Sequence, residues 1–160
     1  MEEKFMEEAL KEAKKAYKKE EVPVGAVIVK NGEVIARAHN LRESKQSATA
    51  HAEILAIEKA SKKLNSWRLI DCDMYVTLEP CTMCMGAIIS SRIKNLYIGA
   101  LDTKTGACGS FVDLSSLKYN HIVNISKGLL QDKCEYIIKD FFKNLIKNYP
   151  YCLESIIFNK

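Results

Sequence analysis

The sequence predicts one α/β layer fold around a central mixed sheet. Two observations predict it. The element patterns run helix, hairpin, then helix and strand in alternation. No linker, repeat or low-complexity tract interrupts the 160 residues, so 1–160 reads as a single domain. A chain of this size buries roughly 68–70% of its unfolded surface, enough for a core without disulfide staples.

Residues 3–19 read as a helix, because Phe5, Met6, Ala9, Leu10, Ala13, Ala16 and Tyr17 recur at helical spacing. Lys4, Lys11, Lys15 and Lys18 fall opposite, as on a solvated face. Val22-Pro23 is expected to stop the helix, since proline restricts the residue before it. Val24 to Val29 is a continuous apolar run and reads as a buried strand. Asn31-Gly32 supplies a tight turn, and Glu33 to Asn40 is the return strand. Residues 41–48 read as a polar loop.

From Ala50 to Leu64, apolar groups fall on nearly every side, which predicts a helix enclosed within the domain. Met74 to Leu78 is a short strand, and Cys81 to Ser91 a helix, with Pro80 suited to its first turn. Leu96 to Ala100 is a strand, 102–120 a loop, Ile122 to Ile125 a last strand and 131–147 a final helix. The tail from Pro150 to Lys160 is apolar and suits packing on the domain or on a partner subunit.

Composition narrows the class. The net charge of +4 is a weak bias towards anionic partners. Arg37, Arg42, Arg68 and Arg92 are the arginines among 24 basic residues, and a lysine excess suits solubility more than a dedicated nucleic-acid patch. The N-terminus has no apolar signal region, and no apolar run approaches the ~20 residues needed to span a bilayer. Six cysteines contain one ligand-like spacing, Cys81 and Cys84, and a reducing cytoplasm fits best. Cys72, Cys108, Cys134 and Cys152 read as buried or incidental thiols, and His39 and His121 as structural or peripheral.

His51-Ala52-Glu53 and Pro80-Cys81-Thr82-Met83-Cys84 carry the chemistry. A structural zinc usually closes four positions with protein ligands, whereas a catalytic zinc keeps three and leaves one for water. One histidine and two cysteines, with an acid beside the histidine, predict a zinc-activated water and a proton shuttle. Cys81 and Cys84, three apart at a helix start, share a face near the positive end of the helix dipole. His51 follows Thr49, a candidate N-cap. In mid-helix, His51 and Glu53 would point about 200° apart. They can meet one metal only at the first turn, so two helix N-termini must converge there. His-x-Glu with Pro-Cys-x-x-Cys is the signature of zinc nucleobase deaminases.

With these segments the chain resembles the bacterial tRNA-specific adenosine deaminases, within the cytidine/deoxycytidylate deaminase superfamily. The resemblance runs from about Glu21 to Phe142. It rests on Val-Pro-Val-Gly-Ala-Val at 22–27, Thr-Ala-His-Ala-Glu-Ile at 49–54 and Tyr-Val-Thr-Leu-Glu-Pro-Cys-Thr-Met-Cys at 75–84. Gly86-Ala87, Ser91-Arg92-Ile93, Thr103 to Ala107 and Asn120-His121 extend it, while Met83 and the stretch through Gly109-Ser110 point to the tRNA branch. The resemblance implies a three-layer α/β/α sandwich with a five-stranded mixed sheet, of the cytidine deaminase-like kind. It implies a homodimer with one zinc per subunit and no organic cofactor, acting on the wobble adenosine of a tRNA anticodon stem-loop. His51, Cys81 and Cys84 would hold zinc and Glu53 would shuttle protons. Asn40, Asp102, Lys104 and Phe142 would contact RNA by the same implication. Read from their residues alone, Asn40 equally suits a turn cap, Asp102 a loop carboxylate, and Lys104 and Phe142 surface or core roles. Two further classes stand beside this one: a deaminase of a free guanine- or cytidine-type base or nucleotide, and an inactive zinc-stabilised RNA-binding subunit.

Overall fold

The computed structural model describes residues 1–152. A five-stranded sheet is built from β1 (Gly25–Lys30), β2 (Glu33–His39), β3 (Cys72–Leu78), β4 (Asn95–Ala100) and β5 (Asn124–Lys127), in the spatial order β2-β1-β3-β4-β5. The hairpin strand β1 runs antiparallel to both β2 and β3, while β3, β4 and β5 are mutually parallel. This is the mixed sheet expected from the element order.

Five helices complete the fold: α1 (Glu2–Lys18), the one-turn α2 (Arg42–Lys45), α3 (Ala52–Leu64), α4 (Thr82–Ser90) and α5 (Gln131–Asn148). Strand alternation decides which helices cover which face. Ala26 and Ile28 of β1, with Met74 and Val76 of β3, enter one core beneath α3 and α4. Val27, Val29 and Tyr75, pointing the other way, enter a second core with Phe5, Met6 and Leu10 of α1 and Ile137 of α5. The molecule is therefore a three-layer α/β/α sandwich. The unbroken apolar run of β1 follows from burial on both sides.

Several boundaries depart from the sequence reading. α1 ends at Lys18, before Val22-Pro23, and the chain turns at Glu20 in a left-handed conformation (φ 58°). The proline is not the stop. Residues 41–48 hold the turn α2, pinned by the fully buried Glu21, whose carboxylate accepts the Glu43 and Ser44 N–H groups at 2.8 and 3.3 Å. α3 is a covering helix and not an enclosed one. Leu55, Ala56 and Ala60 are buried, Ile54 and Ile57 are half-buried, and Glu58, Lys59, Lys62 and Lys63 face solvent. β5 starts at Asn124, two residues later than expected, because its pairing begins with Asn95↔Asn124. The Asn31-Gly32 turn forms as read, with both residues at positive φ (51° and 76°). The tail beyond residue 152 lies outside the described residues. Among the described residues no helix is long and apolar enough to cross a membrane.

Candidate metal and catalytic centre

His51 and Cys81 are not the first residues of helices but the residues capping them. α3 begins at Ala52 and α4 at Thr82, and both caps have extended backbone (φ −76°, ψ 151° and φ −72°, ψ 176°). Neither side chain accepts a cap hydrogen bond from its helix, so both are free to project off the helix ends. Thr49 does not cap α3, its hydroxyl instead meeting Ser47 Oγ at 3.2 Å. Pro80 likewise precedes the cap of α4. The 200° divergence of helical residues two apart does not apply to His51 and Glu53, since only Glu53 is helical.

The two helix starts converge. His51 Nδ1 lies 3.7 Å from Cys81 Sγ and 3.5 Å from Cys84 Sγ. One ligand atom from each of the three residues falls within 4.8 Å of the others. Zinc–nitrogen bonds of about 2.0–2.1 Å and zinc–sulfur bonds of about 2.3 Å place tetrahedral ligand atoms about 3.5–3.8 Å apart. The observed spacings match that geometry, and an imidazole with two thiolates is a donor set zinc favours. The residues therefore fit a zinc ion with three protein ligands.

The electrostatics agree. A hydrogen bond from Cys84, outweighing burial and reinforced by His51, holds the Cys81 thiol down at about 4. Donating to Cys81, together with burial, pushes the Cys84 thiol up. The contact with Cys81 also raises His51. The three groups therefore compete for protons within a tight triangle, and a divalent cation binding there would take both sulfurs as thiolates. Glu53 sits against it, 4% exposed. Burial pushes its carboxyl up to about 6, partly offset by its own backbone N–H and the nearby His51.

The other residues singled out by sequence are placed less directly. Asn40 is half-buried and locked at the start of α2: Nδ2 donates to Val22 O at 3.2 Å and Oδ1 accepts Arg42 N–H at 3.1 Å. Asp102 caps its own loop, accepting the Lys104 and Thr105 N–H groups on Oδ1 and the Thr105 hydroxyl on Oδ2. Lys104 is exposed on the same loop. Phe142 lies on α5, in the layer across the sheet from α3 and α4, and meets Phe141 edge-on at 5.3 Å. His39 bridges β2 to Glu12 of α1 at 2.7 Å and His121 contacts Ile93 O at 2.7 Å, both structural as expected.

Sequence reasoning missed three buried acids, Glu12 on the α1 side and Glu21 and Glu79 near the site. Glu79 had a signal, a lone charge in the apolar stretch from Met74 to Cys84. Glu21 had none, standing among the charged residues after α1.

A buried acid beside a His–Cys–Cys triangle, both at helix starts, is the active-site arrangement of zinc-dependent nucleobase deaminases. The family model of the MafB19-like deaminases matches residues 1–146. The tRNA-specific adenosine deaminase of Bacillus subtilis is 49% identical over 144 residues, covering 89% of each chain. That of Aquifex aeolicus is 47% identical, covering 90% of this chain and 95% of its own. A solved structure from work on A-to-I editing by tRNA:A34 deaminases at the wobble position superposes with a TM-score of 0.82 at 46% identity. It covers 84% of this chain and 98% of that one. A guanine deaminase from Nitrosomonas europaea has a TM-score of 0.74 at 25% identity, over 87% of this chain and 83% of its own. The chain belongs to the tRNA-specific adenosine deaminase family.

Proposed function

We propose that this chain converts the wobble adenosine of a tRNA anticodon to inosine by hydrolysis, releasing ammonia. The observation that carries the chemistry is the buried Glu53 carboxyl set beside the His51–Cys81–Cys84 triangle without being needed as a ligand. His51, Cys81 and Cys84 would hold one zinc ion. When bound there, zinc acts as a Lewis acid that lowers the pKa of water from about 16 towards about 7.

Glu53 handles the protons. A carboxyl raised to about 6 by burial both accepts and returns a proton near neutral pH. It takes one from the attacking water and passes it to N1 of adenine as C6 is attacked. It then takes the proton of the new C6 hydroxyl and delivers it to the C6 amine, so that the C6–N bond breaks, ammonia leaves and C6 keeps its oxygen as the carbonyl of inosine. The base must leave its stack to reach the site, which costs least in an unpaired anticodon.

The substrate assignment draws on the relatives' specificity and on the exposed rim of Thr103, Lys104 and Thr105 beside Asp102, which suits a polynucleotide. Asn40, Asp102 and Lys104 contact RNA on this reading, as does Phe142 from the α5 layer. The whole chain acts as one deaminase domain in the cytoplasm, as a homodimer. Exposed Phe111, Leu117 and Ile122 offer the apolar surface such an interface buries. Incubation of the zinc-loaded protein with an anticodon stem-loop, adenosine, guanine and cytidine tests the assignment. Inosine in the stem-loop is expected. Turnover of guanine without turnover of the stem-loop would overturn it.

A further inference from the structure

Glu79 has no part in the proton steps, yet it is only 2% exposed. A carboxylate tolerates such burial only when it is well hydrogen-bonded. Its partners are three backbone N–H groups of one loop. Asp102 donates to Oε2 at 3.0 Å, while Cys108 at 3.0 Å and Ser110 at 3.2 Å donate to Oε1. The loop closes so tightly that a Cβ on Gly106 would lie 2.5 Å from Glu79 Cδ and 2.6 Å from Oε2. Glu79 also stands two residues before Cys81, and the same loop returns to that segment. Cys81 bridges Gly106, and Ala107 N–H donates to Pro80 O at 2.8 Å.

We propose that Glu79 is a positioning residue for the reaction, acting through the Asp102–Ser110 backbone to set the RNA-facing rim against the Cys81 side of the metal site. The inference rests on the proposed tRNA activity. A carboxylate offers two acceptor oxygens and no donor, which is what three converging N–H groups require. Glutamine keeps the shape but presents an NH2 group to one of them. The rim then loosens, while the helix starts that carry His51, Cys81 and Cys84 keep their own contacts.

The test compares Glu79→Gln with the parent chain, both zinc-loaded. Charge-assisted hydrogen bonds are strong enough that KM for the stem-loop is expected to rise by about tenfold or more, with zinc content unchanged and kcat less affected. Amide hydrogen exchange at Asp102, Cys108 and Ser110 is expected to accelerate. Asp102→Ala keeps the backbone N–H that Glu79 accepts but removes the rim carboxylate that Glu79 positions, so in that background the same change should raise KM by a smaller factor, because residues acting as one unit do not add. Equal fold effects in both backgrounds, or unchanged exchange at the three amides, would overturn the proposal. A parent chain inactive on the stem-loop would overturn the proposed function instead, leaving the exchange rates to decide the role of Glu79.

Discussion

On the α1–α5 side of the sheet, polar and aromatic groups tie one helix to another. Tyr17 donates to Asp140 at 2.7 Å and accepts from Asn144 at 2.7 Å, its ring meets Phe141 edge-on at 5.4 Å, and Lys133 pairs with Glu7. On the α3–α4 side, the polar groups that link the two helices are the candidate metal ligands themselves. Glu53, Cys84 and half-buried His51 point at one another across two helix starts, and Glu21 and Glu79 hold loops at the edge of that layer. One face uses its polar groups for cohesion alone, while the other also gathers His51, Glu53, Cys81 and Cys84 for a ligand. Substitutions on the first face should therefore change stability at constant chemistry, and those at His51, Glu53, Cys81 and Cys84 should change chemistry far more than stability.

The largest expected effect is on the chemical face. Cys84→Ser should lower zinc content by mass spectrometry and inosine formation together, and dialysis of the parent chain against a chelator should do the same until zinc is restored. Full metal content in Cys84→Ser would contradict the ligand assignment. Next comes Phe141→Ala on the cohesive face, expected to cost about 3–5 kcal/mol in denaturant unfolding, with kcat of the remaining folded protein unchanged. Gly25→Ala follows. Its Cβ would meet Ala9 O at 1.9 Å, where α1 rests directly on β1. Overpacking there should cost about 1–3 kcal/mol. A change in zinc content in either variant would show that the two faces are not independent.

The smallest effect is a pH dependence. Burial alone would raise the Glu12 carboxyl, but hydrogen bonds from Lys15 and His39 outweigh it and hold it below 4.5. A carboxyl depressed in the folded state adds stability above its unfolded value, and that stability is lost as pH falls through the folded value. The thermal midpoint of Glu12→Gln should lie below that of the parent at neutral pH, and the gap should close as pH falls through the depressed folded value of the Glu12 carboxyl. A gap that widens towards acid would contradict the sign.

The same comparison explains what the sequence could reveal. The helical spacing of Phe5, Met6, Ala9 and Leu10 and the apolar run of β1 are local patterns, so the layers were legible. His51, Glu53, Cys81 and Cys84 were legible as chemistry because metal ligation demands particular residue types at short spacings. The helix ends were less so. Whether α1 stops at Lys18 or at Pro23 depends on a left-handed Glu20, which no side-chain pattern marks. α3 looked enclosed because Ile54 and Ile57 are apolar, but helix periodicity does not show how much of a flank its neighbours cover. Glu79 and Glu21 were illegible as loop anchors because their partners are backbone N–H groups of Asp102, Cys108, Ser110, Glu43 and Ser44, which any residue type supplies. The candidate RNA contacts read as equivocal for a related reason. Asn40 and Asp102 do satisfy their own turns, as such residues often do.

The central claim is that Glu53 moves protons and does not hold the metal. The direct measurement is Glu53→Gln, with zinc content, stem-loop affinity and inosine formation read on one preparation. Zinc at one per chain and parent-like affinity, with inosine formation reduced by about 10²-fold or more, is the expected result. Inosine formation at the parent rate, or loss of zinc along with activity, would contradict it.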